Sequence, residues 1–299
     1  MNQTDKLPFI VILDWDNTIV GKVDYQSQKY SLEQHYKKFG LKVKKNSKVP
    51  KAFNKDSKLV RPYFLNFITE LTDYFQGNIY FFIYTASERK WANTEISWLE
   101  KSHGIKFQRP IFTRDDCIVD KSGSYRKSIS NIFPRMLRSM ALTKISKEQK
   151  TELLHQRLLI IDNNAVFNDM KEHLLICPDY NFMVFENLLE DIPLSYLQNP
   201  NIRQHILSLI NMGLICPFFG KNDDINQQMY KKYEWLAIKC KHISENNAYS
   251  IKDIFFKYLT GLIVKNNLKI FTPNVIKQLQ TLVWKKIEKK DKKDKRNKK

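Results

Sequence analysis

Residues 8–20 read PFIVILDWDNTIV, an apolar run that ends abruptly in two carboxylates, Asp14 and Asp16. The run from 9 to 13 is short, rich in β-branched residues and free of polar positions, which is typical of a parallel strand covered by helices on both faces. In open α/β sheets, ligands bind just beyond the carboxyl ends of such strands. An extended chain directs residues 14 and 16 to the same side, where a substrate can reach both.

Two carboxylates at this spacing repel each other, so they are best tolerated when a cation lies between them or one of them keeps its proton. The pair therefore suggests a Mg²⁺ site with one carboxylate free to attack a substrate. The alternative is that an Asp-Xaa-Asp-Asn turn merely ends a strand, because Asp and Asn are favoured turn residues. The short motif alone does not decide between the two.

The composition predicts a folded protein with an anionic partner. The chain has 299 residues, of which 42% are apolar and 13% aromatic, enough for one large domain or two smaller ones. Of its net charge of +19, residues 37–58 contribute nine Lys against one Asp, and residues 285–299 contribute ten Lys or Arg against three acids. Such density favours nucleic acid, a phosphoprotein or a membrane surface. Residues 285–299 alone fit a solubilising tail equally well.

Cysteine and histidine usage predicts no metal centre. The four cysteines (Cys117, Cys177, Cys216 and Cys240) form no Cys-Xaa-Xaa-Cys pair, which indicates neither a zinc site nor a disulfide framework and fits a reducing compartment. The six histidines are scattered along the sequence. The N-terminus lacks a secretory signal, and the longest apolar stretch, 206–219, is too short and polar to span a bilayer. We therefore expect a soluble intracellular protein, nuclear or cytoplasmic, whose oligomeric state stays open.

Further apolar runs also end in polar side chains. Residues 79–84 lead into Thr85, 111–113 into Arg114, and 158–161 into Asp162 and Asn163, while one more strand is expected at 182–185. Helices are expected at 31–40, 62–76, 88–103, 188–197, 224–243, 250–266 and 272–286, the last capped by Thr272. Together with Lys127, the strand ends supply a nucleophile, a proton donor, phosphate ligands and cation ligands, the groups that phosphoryl transfer needs.

Over residues 7–198 the chain resembles the haloacid dehalogenase superfamily phosphatases, specifically the branch of the RNA polymerase II C-terminal domain small phosphatases (the NLI-interacting-factor-like family). The matching motifs are DWDNT at 14–18 for the family's DxDxT, Arg61-Pro62, YTAS at 84–87 for FTAS, RDDCIV at 114–119 for RESCVF, YRKSIS at 125–130 for YVKDLS, and IIDNNA at 160–165 for LDNSP. The resemblance implies an α/β, Rossmann-like three-layer sandwich with a central parallel sheet, extended here by C-terminal helices.

The resemblance also implies a role for each matching residue. Asp14 would be the nucleophile that forms an aspartyl-phosphate, and Asp16 the acid for the leaving oxygen and the base for water. Thr85 and Lys127 would bind the phosphate, with the lysine bridging to the nucleophile. Thr18 would fix the loop and assist phosphate binding.

The same resemblance implies a metal cofactor. Asp14, the backbone carbonyl of Asp16, and Asn163 would hold Mg²⁺, with support from Asp162, and Arg114 would support the site. The chain departs from the family pattern in having Ser128 after the lysine and Ala165 in place of Pro.

The domain organisation expected from these patterns has three parts. Residues 1–205 form the phosphatase domain, with a basic insertion at about 22–60 and a helical insertion at about 134–156. Residues 206–284 form a helical extension, and 285–299 a flexible basic tail.

The first function hypothesis is a Mg²⁺-dependent phosphatase of phosphoserine or phosphothreonine in proteins. The alternatives are a phosphatase of nucleic-acid ends or nucleotides, which the basic segments suit equally well, and a non-catalytic nucleic-acid-binding or scaffold protein that keeps the fold. The intact set of candidate catalytic residues argues against the third.

Overall fold

The computed structural model describes residues 7–42, 50–184, 194–197, 199–212 and 253–296. The helix expected at 224–243, most of the helix expected at 188–197, and Cys216 and Cys240 lie outside the described residues. The other expected elements can be compared with the structure.

Within the described residues there are six strands and nine helices. The strands are β1 (Phe9–Leu13), β2 (Ile79–Ile83), β3 (Ile118–Val119), β4 (Tyr125–Arg126), β5 (Leu158–Asp162) and β6 (Leu174–Ile176). The helices are α1 (Asp24–Lys38), α2 (Phe64–Tyr74), α3 (Arg89–His103), α4 (Ile129–Ser139), α5 (Lys147–Gln156), α6 (Leu194–Leu197), α7 (Pro200–Met212), α8 (Phe255–Lys265) and α9 (Pro273–Arg296). Short 3₁₀ turns lie at Lys51–Phe53, Arg114–Asp116 and Lys171–His173.

The central sheet has four parallel strands in the order β2-β1-β5-β6. Every residue of β1 and β5 is buried, in keeping with uninterrupted apolar runs that helices cover. Leu13 pairs with both Ile83 and Ile161, so the three strands end level with one another. The expected α/β fold with a central parallel sheet and C-terminal helices is confirmed, and the residues after each strand share one edge.

The fourth strand of the sheet differs from the expectation. Residues 182–184 form no strand, although Met183 makes one isolated bridge to Lys22. The sheet is completed by β6, whose three residues are too few for a clear sequence pattern. The side-chain amide of Gln280 donates to the Ile176 carbonyl at 2.8 Å and accepts from its N–H at 2.6 Å. The Gln280 amide thus pairs with the backbone N–H and C=O of Ile176 as a neighbouring strand would, and it covers part of the outer edge of β6.

The chain divides into two compact units. One contains the sheet and consists of residues 1–21, 60–180 and 252–299, and the other consists of 22–59 and 181–251 and contains α1, α6 and α7. The domain boundary expected at 205 stays a prediction. Helix α8 belongs to the unit with the sheet because Phe256 packs against Phe64 and Phe67 of α2, with ring centroids 5.1 and 5.0 Å apart.

Helix α9 continues to Arg296, ten residues beyond the expected end at 286. Most of the segment expected as a tail is therefore helical. Its residues are mainly Lys, Arg and Glu, which favour helix, and neither Gly nor Pro interrupts it. At the start of α9 the Val275 N–H donates to the Thr272 hydroxyl at 3.5 Å, as the expected cap requires. None of the described helices combines the length and apolar character that crossing a membrane would demand.

Candidate active site

The turn after β1 brings Thr18 back towards Asp14. Asn17 has a φ of 59°, a left-handed conformation that Asn adopts more readily than most residues. The Ile19 N–H then donates to the Trp15 carbonyl at 2.9 Å and closes the turn. As a result the Thr18 hydroxyl donates to one carboxylate oxygen of Asp14 at 2.9 Å. The other oxygen of Asp14 faces Lys127.

The ammonium of Lys127 lies between two carboxylates. It donates to Asp14 at 2.6 Å and to Asp162 at 2.7 Å, and both interactions are buried. Burial alone would lower the pKa of Lys127, but the negative charge of Asp14 and then of Asp162 outweighs burial and raises it. Burial and the charge of Asp14 raise the pKa of Asp162, against the effect of Lys127. The lysine therefore stays charged and orients the Asp14 carboxylate.

The start of α4 positions Lys127. Asp169 accepts hydrogen bonds from the N–H groups of Ile129 and Ser130 and from the hydroxyls of Ser128 and Ser130, at 2.5–3.0 Å. Burial alone would raise the pKa of Asp169, but these hydrogen bonds lower it. A carboxylate at a helix N-terminus is stabilised by the free N–H groups and the helix dipole. Asp169 thus puts a negative charge at the helix start, beside the Ser128 that departs from the family pattern.

Asp16 has hydroxyl partners. Ser87 donates to its carboxylate at 2.7 Å and Thr85 donates to the same oxygen at 3.2 Å. Although part of the Asp16 side chain reaches solvent, burial raises its pKa, and the negative charge of Asp14 raises it further. A carboxyl group with a raised pKa keeps its proton to a higher pH than an ordinary carboxyl group does. Asp14 and Asp16 thus have different environments and can take different roles.

Arg114 supports the loop that carries these hydroxyls. Its Nε donates to the Ala86 carbonyl at 2.8 Å, and its backbone N–H donates to the Ser87 carbonyl at 3.0 Å. The Thr85 hydroxyl also accepts the Ser87 N–H at 3.1 Å. These bonds fix the loop that carries Thr85 and Ser87.

The oxygens near Thr18 suit a magnesium ion. The Thr18 hydroxyl lies 2.9 Å from an Asp14 oxygen and 3.1 Å from the Asn163 side-chain oxygen. A hydroxyl has one proton and serves one of these acceptors at a time, so the other is open to a cation. Among the described residues, the carboxylates of Asp14, Asp16 and Asp162 face one ammonium, that of Lys127. Carboxylate and amide oxygens are hard ligands of the kind that Mg²⁺ prefers. The residues fit the expected ion.

Asp162, expected to support the metal, has both of its oxygens in hydrogen bonds. One accepts from Lys127 at 2.7 Å and the other from the Asn164 N–H at 2.7 Å. Its contacts therefore serve the lysine and the backbone after β5.

The structure adds residues that the sequence left without a role. Ser87 contacts Asp16, Asp169 anchors the start of α4, and the Asp179 carboxylate accepts from the Asn163 amide at 2.8 Å. The position of Ser87 in the Thr85-Ala86-Ser87 motif is a signal for its role. Nothing in the sequence links Asp169 or Asp179 to the site.

Arg61 is a further support beneath the turn. Its buried guanidinium donates to the Thr18 carbonyl at 3.3 Å and to the Asp253 carboxylate at 2.8 Å. It also lies over the Phe255 ring, 4.8 Å from the centroid. The motif residue Arg61 therefore joins the turn after β1 to the segment before α8.

Comparisons with known proteins find one matching family and solved structures of low similarity. A family model described as "NLI interacting factor-like phosphatase" matches residues 9–203. Among solved structures, one described as Fcp1, an essential RNA polymerase II CTD phosphatase, is similar with a TM-score of 0.35 and 14% identity, over 90% of this chain and 69% of that chain. The fission yeast RNA polymerase II CTD phosphatase Fcp1, as a variant bound to beryllium fluoride, has a TM-score of 0.32 and 13% identity over the same shares. No curated protein sequence matches significantly.

Proposed function

We propose, because the chain belongs to the NLI interacting factor-like phosphatase family, that it hydrolyses phosphate monoesters through an aspartyl-phosphate on Asp14. The observation that carries this proposal is the Asp14 carboxylate at the sheet edge, held between the Lys127 ammonium at 2.6 Å and the Thr18 hydroxyl at 2.9 Å. These contacts aim a carboxylate oxygen and offset its charge, which an anionic nucleophile needs before it approaches an anionic phosphate.

The first step transfers the phosphoryl group to the enzyme. A carboxylate oxygen of Asp14 forms a bond to phosphorus while the bond between phosphorus and the leaving oxygen breaks. Asp16, whose pKa is raised by burial and by Asp14, gives its proton to the leaving oxygen. The products are an alcohol and an acyl phosphate on Asp14.

The second step restores the enzyme. The Asp16 carboxylate takes a proton from a water molecule, whose oxygen attacks phosphorus as the bond to Asp14 breaks. Inorganic phosphate leaves, and Asp16 is again protonated. Lys127 and the Thr85 hydroxyl would donate to the phosphoryl oxygens as negative charge accumulates.

Asp14, the carbonyl of Asp16, and Asn163 would hold Mg²⁺, with Asp179 orienting the Asn163 amide. When bound, this ion supplies charge that lowers the cost of bringing two anions together.

The proposed substrate is phosphoserine or phosphothreonine in a protein. The second candidate is a phosphorylated nucleic-acid end, because residues 37–58 and 285–299 carry charges of +8 and +7, from nine and ten basic residues against one and three acids. The catalytic residues contact only a phosphate and its leaving oxygen, so the surroundings select between the substrates.

Initial rates on a phosphoserine heptad peptide and on a 3′-phosphorylated oligonucleotide test this choice. We expect a higher kcat/KM for the peptide, and a preference for the oligonucleotide would contradict the first candidate.

A chain ending at Trp284 keeps the Gln280 contacts to β6 and should retain its turnover of a small aryl phosphate. Its binding to polyanions should weaken and lose part of its salt dependence, because fewer counterions are released.

Replacement of Asp16 tests the proton donor. For Asp16→Asn we expect kcat/KM on an alkyl phosphate such as phosphoserine to fall by about 10²–10⁴-fold, the scale of general acid catalysis. The kcat/KM on an aryl phosphate should fall less, because a phenolate leaves without being protonated. The later attack of water does not enter this comparison, since kcat/KM reports only steps up to the first irreversible one.

The pH profile has a defined sign. The acid must be protonated, so kcat/KM on phosphoserine should fall as pH rises through the raised pKa of Asp16, and Asp16→Asn should lack this limb. Asp115→Asn is the matched control, since that exposed carboxylate pairs with Arg89 at 2.9 Å. If Asp16→Asn lowered kcat/KM equally on both substrates and left the fall at high pH unchanged, the leaving oxygen would receive its proton from another group.

A further inference from the structure

Two histidines and a glutamate meet at the far end of β5 from the catalytic residues. They are His155 at the end of α5 and the pair Glu172 and His173 in the 3₁₀ turn before β6. One potential ligand atom from each side chain lies within 4.8 Å of the other two. His155 and Glu172 are exposed, whereas His173 is fully buried.

The hydrogen bonds of His173 leave one ring nitrogen available. Nδ1 lies 3.1 Å from the Leu158 carbonyl oxygen. A carbonyl only accepts, so Nδ1 carries the proton and Nε2 of the neutral ring presents a lone pair. Nε2 is buried and has no hydrogen-bond partner among the described residues. Burial lowers the pKa of His173, and the Phe271 backbone carbonyl, which also lies near the ring, favours the protonated form against burial. This carbonyl is outside hydrogen-bond geometry for Nε2.

A histidine that donates from one nitrogen to a carbonyl and keeps the other free has the arrangement of a metal ligand. A buried acceptor with no donor is otherwise costly, because it loses water without a replacement. The free Nε2, the His155 imidazole and the Glu172 carboxylate are also the donor types that structural and catalytic zinc sites use.

We propose that His155, Glu172 and His173 bind a Zn²⁺-like transition-metal ion, with water in the remaining position. Ligands of a tetrahedral Zn²⁺ lie about 3.4 Å apart, given bonds of about 2.1 Å. The candidate ligand atoms are now up to 4.8 Å apart. His155 and Glu172 are exposed, so a change of rotamer can bring their ligand atoms to this shorter distance while His173 stays fixed. Imidazole nitrogens favour Zn²⁺ over Mg²⁺, which prefers oxygen.

The ion would join α5 to the turn that leads into β6 and would take no part in phosphoryl transfer. His173 contacts Leu158, the first residue of β5, whereas Lys127 contacts Asp162, the last. Four residue steps along a strand span roughly 13 Å. The scattered histidines predict no metal site from the sequence pattern, because residues 155 and 173 are separated by the whole of β5. The fold around this strand brings the two side chains together.

Calorimetric titration of the untagged full-length chain with ZnCl₂, in excess Mg²⁺, tests the site. We expect one equivalent to bind, and His155→Ala and Glu172→Ala each to weaken it at least about tenfold, the lower scale for disturbing a metal site. Gln156→Ala is the matched control, exposed and adjacent to His155 on α5, and should bind as the parent does. The Asp14→Asn variant should still bind one equivalent of Zn²⁺, which distinguishes this site from a metal site at the catalytic carboxylates.

A second measurement reports ligation directly. Co²⁺ in place of Zn²⁺ should give visible absorption bands of a tetrahedral centre, absent from His155→Ala, while aryl phosphate turnover with Mg²⁺ stays within twofold of the parent. Zinc binding that is unchanged in both His155→Ala and Glu172→Ala, or lost in Asp14→Asn, would overturn the proposal.

Discussion

Asp14→Asn should abolish turnover of a small aryl phosphate while leaving the protein folded. An amide oxygen is too weak a nucleophile to attack phosphorus, and removing a covalent nucleophile costs on the order of 10⁴-fold or more. The substitution conserves volume. The asparagine carbonyl can accept from Lys127 while its NH₂ donates to the Thr18 hydroxyl, whose own proton can go to the Asn163 side-chain oxygen. Initial rates and a thermal melt of the same preparation measure the two effects.

The controls for Asp14→Asn separate chemistry from folding. Asp115→Asn makes the same chemical change at an exposed position on a 3₁₀ turn and should keep full turnover. Trapping of the acyl phosphate after acid quench should succeed with the parent and fail with Asp14→Asn. Full activity in a folded Asp14→Asn protein would contradict the covalent mechanism, and an inactive parent chain would favour the scaffold alternative.

The sequence predicts those parts of the site that lie at the ends of long apolar runs. Strands β1, β2 and β5 are largely apolar segments, and parallel pairing brings their carboxyl ends level, so the sequence is enough to predict that Asp14, Thr85 and Asp162 share one edge of the sheet. Lys127 could be placed only through its family motif, because the two-residue strand β4 before it has no periodicity of its own.

The remaining parts depend on contacts between distant residues. Ser128 and Asp169 are 41 positions apart, and Ile176 and Gln280 are 104 apart. A single carboxylate or amide in a sequence has many possible partners, and only packing selects one. The same limit explains why β6 was missed, since three apolar residues become a strand through the backbone of β5 and the side chain of Gln280.

Lys127→Ala should lower turnover by about two orders of magnitude, the scale for losing one preorganised electrostatic donor. Its ammonium contacts Asp14 and Asp162 at 2.6 and 2.7 Å and lies 5.7 and 5.6 Å from the ring centroids of Tyr84 and Phe167. Lys127→Met retains the aliphatic packing without the charge, so it should lose as much turnover as alanine. Lys121→Ala, in an exposed turn, serves as the control.

Both Lys127 variants should also be less stable, by about 3–5 kcal/mol near neutral pH, because two buried carboxylates lose their cation. Burial and the charge of Asp14 already raise the pKa of Asp162 to about 6 against the effect of Lys127, and without the ammonium this pKa rises further. The Asp162 carboxyl is tolerated while it is protonated. The deficit relative to the parent should therefore be small below a pH of about 6, grow as pH rises above that value, and level off above the higher pKa that Asp162 has in the variant. Chemical denaturation across this pH range, with and without Mg²⁺, measures it, and added Mg²⁺ should restore part of the lost stability. A change in turnover under twofold, with a deficit that does not depend on pH, would place the lysine outside the proposed charge network.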